Sequence, residues 1–105
     1  MNEGYLTITR ISGDPDELIA GYRRTADTMA EVGRDHGLIV HAVAKEADGL
    51  LITNLWPSKE GSEAAARDAR RLGVVAEHGL GPDRMKPRHY DVENFEVFAR
   101  LGGKE

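Results

Sequence analysis

Leu50-Leu51-Ile52-Thr53-Asn54-Leu55-Trp56-Pro57-Ser58-Lys59-Glu60 is the stretch whose reading decides the fold. Its apolar, partly β-branched run through Trp56 reads as a strand. Pro57 has no amide proton for a ladder and Ser58 is a favoured N-cap, so the chain leaves the sheet and enters a helix at once. Alternation places Leu50, Ile52, Asn54 and Trp56 on one side of the strand and Leu51, Thr53 and Leu55 on the other. Both sides are largely apolar, so both need cover.

Upstream of this strand, Ala47-Asp48-Gly49 is a hairpin signal, because Asp-Gly tolerates the left-handed conformations of tight turns. It joins a second strand, Leu38 to Lys45, which again has two apolar sides: Val40, Ala42 and Ala44 against Ile39, His41 and Val43. Gly37 closes the preceding helix as a C-terminal cap. That helix starts at Asp14-Pro15, with Glu17 completing a capping-box spacing, and runs to about His36. Its apolar stripe is Leu18, Ile19, Tyr22, Ala26, Met29 and Ala30. Tyr5 to Ile11 alternates and forms the first strand.

Downstream, the helix that starts at Ser58 is rich in alanine and arginine. Gly61 weakens its first turn and Gly73 its middle, so it is expected to fray, kink or split before His78 and Gly79. Gly79 to Pro87 reads as a loop and Arg88 to Phe98 as the last strand, followed by a loose tail over 99–105. The order is β-α-β-β-α-β. It predicts an α+β, ferredoxin-like fold: a four-stranded antiparallel sheet with its helices on one face.

At 105 residues and 40% hydrophobic content, the chain is expected to be one domain, 1–105, with a core over about 5–98. A chain this short buries only roughly 60 to 70% of its unfolded surface, which favours completing the core with a partner. The net charge of −4 and pI near 5.5 argue against binding nucleic acid or an anionic membrane. Arg67, Arg70 and Arg71, mixed with Glu60, Glu63 and Asp68, read as a solvated helix face. The absence of cysteine removes disulfides, thiolate catalysis and Cys-based zinc sites. No leader and no apolar run near 18 residues occurs, so a cytoplasmic protein is expected. His36, His41, His78 and His89 lack paired spacing, so no metal is expected, and no phosphate-loop, dinucleotide or nucleophile-elbow motif is present.

A sheet apolar on both faces, with helices on only one, calls for a second copy packed sheet against sheet. That requirement, the element order and the junction Leu55-Trp56-Pro57-Ser58-Lys59-Glu60 together resemble the dimeric α+β barrel superfamily, and within it the antibiotic-biosynthesis-monooxygenase-like domain. The resemblance spans Tyr5 to Phe98. It implies a homodimer and a mostly apolar small-molecule cavity. It also implies monooxygenase-like oxidation of an aromatic or enolisable substrate without metal, flavin or other cofactor. Haem-degrading relatives place a ligating histidine in the helix after the tryptophan. Here that region reads Ala64-Ala65-Ala66-Arg67, which argues against haem.

Asn54, Trp56 and His41 form the expected catalytic set. Asn54 lies among apolar neighbours, where its amide needs a ligand or a bond to a loop or the dimer mate. Trp56 offers a stacking face and one donor, or serves as a core anchor. His41 is an acid or base near neutral pH, or an internally satisfied histidine. Arg10, His89 and Tyr90 are the expected substrate-binding residues. Arg10 would steady an enolate or phenolate, or form a salt bridge; His89 and Tyr90 point oppositely, so only one enters a given cavity. The rival reading is a non-catalytic ligand-binding or structural dimer.

Overall fold

The structure is a computed structural model that describes residues 1–81 and 83–99. Its elements are β1 (Gly4–Ser12), α1 (Pro15–Asp35), β2 (Val40–Glu46), β3 (Gly49–Trp56), α2 (Lys59–Ala66), α3 (Ala69–Glu77) and β4 (Met85–Val92). The strands form one antiparallel sheet in the order β2-β3-β1-β4. The fold is the expected ferredoxin-like α+β arrangement. Except for Ala99, the expected tail lies outside the described residues.

Local chemistry sets the element ends. The Asp14 side chain accepts from the Glu17 amide at 2.9 Å and Pro15 occupies the first turn of α1. At the other end Gly37 takes a φ of +82°, the Leu38 amide donates to the Gly33 carbonyl at 2.8 Å and the Gly37 amide donates to Arg34. These two bonds satisfy carbonyls that the helix end leaves orphaned. Ser58 caps α2 through the Gly61 amide, as its position after Trp56 predicts.

The second helical region splits, but not at Gly73. The break falls at Arg67 and Asp68, where Asp68 leaves helical geometry and its carboxylate accepts from the Arg70 amide. An aspartate that caps a new helix competes with continuation of the old one, and that outweighs the weaker propensity of Gly73, which stays helical within α3.

The last strand also differs from expectation. It spans Met85–Val92, beginning before Pro87 and ending well before Phe98. Pro87 fits because β4 is an edge strand with a single partner, β1. Beyond Val92 the chain turns toward its N-terminus: the Phe95 amide donates to the Asn2 carbonyl and Asn94 accepts from the Asn2 amide.

The helices cover the face that carries Tyr5, Thr7, Ile11, Leu50 and Trp56, all buried. Tyr5, Val32, Trp56 and Ala65 pack together at one end of it, with Leu38 against them, while Ile11 and Leu50 are buried at the other. The opposite face carries Leu6, Ile8, Leu51, Thr53 and Leu55, all left partly accessible, and Val40, which is 44% exposed. No helix of the described residues is long and apolar enough to cross a membrane.

Candidate functional site

Strand register organises the middle of the helix-covered face. His41 pairs across with Asn54, Asn54 with Thr7, and Thr7 with His89. Because the strand order is β2-β3-β1-β4, these four residues form one polar row across the whole sheet. On either side lie more apolar rows: Val43, Ile52, Thr9 and Pro87 on one, and Trp56 beside Tyr5 on the other. Polar side chains in such a setting need partners, and two kinds are found.

The first is a hydrogen-bonded chain. The Asn54 Oδ1 lies 2.6 Å from His41 Nδ1, and the Tyr22 hydroxyl of α1 lies 2.6 Å from His41 Nε2. An amide oxygen only accepts, so Nδ1 carries the proton and donates to Asn54, leaving the Nε2 lone pair to accept from Tyr22. The arrangement has the logic of a catalytic triad: a base whose tautomer is fixed by a third group. It also tolerates protonation of His41, because the Tyr22 hydroxyl can then accept from Nε2. Partial burial pushes the Tyr22 phenol above its ordinary pKa, which keeps it a proton carrier at neutral pH. The Tyr22 and His41 rings also stack, with centroids 5.8 Å apart and planes at 28°.

The second is the tryptophan. Trp56 is 5% exposed and its indole nitrogen donates to Thr7 Oγ1 at 3.4 Å. In this arrangement it anchors the core beside the polar row.

Two adjoining cavities of about 490 and 510 Å³, within the size range of small-ligand sites, lie between the sheet and the helices, the first walled by α1 and α3 and the second by α1, α2 and Arg71 of α3. They share Thr9, Tyr22, Met29, His41, Asn54 and Arg71. Trp56 and His89 line the second; His89 also stacks on Tyr5, with centroids 5.8 Å apart. Thus His41, Asn54, Trp56 and His89 are brought together on one face. Arg10 and Tyr90 lie on the other, where Arg10 pairs with Glu46 at 3.2 Å and Tyr90 is 42% exposed. Among the described residues no cluster of three metal-ligating side chains occurs.

Sequence reasoning missed Tyr22 and Arg71. Tyr22 was hidden in the apolar stripe of α1, although it is the one hydroxyl in that stripe. Arg71 was grouped with its neighbours, but the adjacent arginines have opposite surroundings. Arg70 pairs with Asp68, Asp35 and Glu31 at 2.8, 3.0 and 3.9 Å. Hydrogen bonds from Arg70, and then from His36 at 3.0 Å, hold the Asp68 carboxyl far below the usual carboxylate range. Arg71, turned about 100° around the helix from Arg70, lines both cavities instead.

No known protein-family profile matches the chain, and no curated protein matches its sequence. Solved structures do. The cofactor-independent oxygenase SnoaB of Streptomyces nogalater matches with a TM-score of 0.60 at 16% identity, over 98% of this chain and 100% of that one. A protein of Chloroflexus aurantiacus, provisionally assigned as an antibiotic biosynthesis monooxygenase, matches with a TM-score of 0.62 at 20% identity, over 91% and 97%. A protein of unknown function from Nitrosomonas europaea matches with a TM-score of 0.70 at 11% identity, over 94% and 98%. The chain has the fold of the antibiotic-biosynthesis-monooxygenase-like proteins, as its strand–helix junction suggests.

Proposed function

We propose that the protein is a cofactor-independent, monooxygenase-like enzyme acting on an aromatic or enolisable small molecule held between the sheet and α1. The observation that carries this reading is the Tyr22–His41–Asn54 chain at the junction of two cavities. A phenol or enol reduces oxygen readily only once it is ionised, so the protein must bind it, remove a proton and steady the anion. Asn54 fixes His41 as a base, and Tyr22 passes the substrate proton to Nε2. The balanced outcome at an activated CH₂ is a carbonyl plus water: the substrate gives two hydrogens, and dioxygen supplies one atom to each product.

The test is substrate-dependent oxygen uptake that survives chelation. His41→Gln and Asn54→Ala are expected to lower it, the former by about a hundredfold or more. If a broad panel of electron-rich phenols and enols never consumes oxygen, the enzymatic reading falls.

One observation favours a second reading, a non-catalytic ligand-binding dimer: both ring nitrogens of His41 already have partners within the chain. Recovery of a tightly bound ligand chemically unchanged would support it.

In either reading the chain works as a homodimer. The apolar face of Leu6, Ile8, Leu51, Leu55 and Val40 has the character of a buried sheet face rather than a wet one. Light scattering should give twice the 11.5 kDa chain mass; a monomer at all practical concentrations would overturn the dimer.

A further inference from the structure

The cations around the two cavities are disposed unevenly. Arg24, Arg71 and Arg84 line the first cavity, and Arg34 and Arg71 the second. Asp14 and Glu17 also border the first, where the Asp14 carboxylate is engaged as the cap of α1. Among the described residues no acidic side chain lines the second. Among the described residues Arg71 has no carboxylate within 4.0 Å, whereas Arg70 beside it has three. One terminal nitrogen of Arg71, Nη1, donates to the Ala66 carbonyl at 3.1 Å, which fixes one side of the guanidinium. Among the described residues the remaining donors have no partner, and burial pulls the guanidinium below its ordinary pKa, a penalty that none of their carboxylates offsets. Arg71 also lies with Tyr22, His41 and Asn54 at the junction of the two cavities. The Nε and Nη2 side of a planar guanidinium, unpartnered among the described residues and at the edge of a cavity that none of their carboxylates lines, suits an incoming carboxylate.

We propose that the ligand is acidic: an aromatic or enolic ring bearing a carboxylate, with Arg71 holding the carboxylate while the ring lies against the polar row of the sheet. This rests on the cavity reading above and names the substrate class within it. Arg71 is then a specificity determinant, and the base at His41 acts on a molecule whose orientation Arg71 sets.

Calorimetric binding of matched acid and ester probes tests this, beginning with 3-hydroxy-2-naphthoate and its methyl ester and extending from one ring to three. The protein should bind the acids roughly tenfold to a hundredfold more tightly than the esters, and added sodium chloride should weaken the acids alone. Arg71→Met should erase the preference while leaving ester affinity in place, and Arg71→Lys should restore part of it. Should Arg71→Met fail to fold, the acid-to-ester ratio and its salt dependence in the unaltered protein decide the matter. Acids and esters that bind equally and displace each other would overturn the acidic-ligand proposal and leave the cavity reading standing. If neither member of any pair binds, both fall.

Discussion

Replacing Tyr22 by phenylalanine removes one oxygen and leaves the ring stacked on His41, so it isolates the hydroxyl from the packing. The measurement is a double-mutant cycle with Tyr22→Phe, His41→Ala and the pair combined, followed by urea unfolding at one fixed protein concentration, since the proposed dimer would make stability depend on it. A net intramolecular hydrogen bond contributes about 0.5–1.5 kcal/mol. The Tyr22–His41 bond is short, at 2.6 Å, and is continued by a second of the same length to Asn54, which favours cooperative strengthening. Against that, His41 sits on the edge strand β2 and is open to water on one side, so solvent replaces part of what is lost. Weighing the two, the coupling is expected to be about 1 kcal/mol, with a melting shift of about 4–8 °C for Tyr22→Phe alone in a domain of this size. A coupling below about 0.3 kcal/mol, the level at which unconnected sites add, would refute the hydrogen-bonded chain as an energetic unit and with it the assigned tautomer.

Other consequences of the structure can be tested on the same material. Gly49→Ala places a methyl group against the Ile11 carbonyl at the end of the β1–β3 ladder, and should destabilise the protein by about 3 kcal/mol or more in urea unfolding; a neutral result would mean that the β1–β3 register is wrong. Trp56→Ala should cost about 3–5 kcal/mol, because it empties the centre of the cluster with Tyr5, Val32 and Ala65. A cost below about 1 kcal/mol would instead mark Trp56 as a surface available to ligand. Asp68 gives a pH signature. Its folded pKa is depressed by Arg70 and His36, so its stabilising contribution is complete above its unfolded pKa, near 4, and is lost as pH falls through the folded value. The stability gap between the parent and Asp68→Asn should therefore narrow steadily below about pH 4; a gap constant between about pH 6 and pH 3 would show that the ion pairs are idle.

Alternation along each strand was enough to read the two faces of the sheet, because side-chain direction in a strand has a period of two. It placed His41 with Val43 and Asn54 with Trp56 correctly. Alternation is blind to how strands slide past each other, so the row formed by His41, Asn54, Thr7 and His89 was out of reach. Tyr22 escaped for a related reason: helical periodicity identified its face but not the strand residue beneath it. The Asp14 and Ser58 caps were legible because each needs only a short local motif. The cap at Asp68 was equally local, yet glycine propensity drew attention to Gly73 and away from an aspartate preceding Ala69-Arg70-Arg71. Pro87 misled the reading of β4, since a proline argues against a strand only when that strand is flanked on both sides.

That same proline bears on how the molecule meets its neighbours in a crowded solution. Sheet proteins risk growing sideways, one backbone extending the ladder of the next until a filament forms. β4 supplies one of the two open rims of this sheet, and at Pro87, opposite Thr9, that rim has no amide to offer an added strand. Lateral growth is interrupted at the third of the eight residues of β4 while the broad apolar face stays free. A rim closed to lateral growth in this way supports the closed pair proposed above over an open-ended stack.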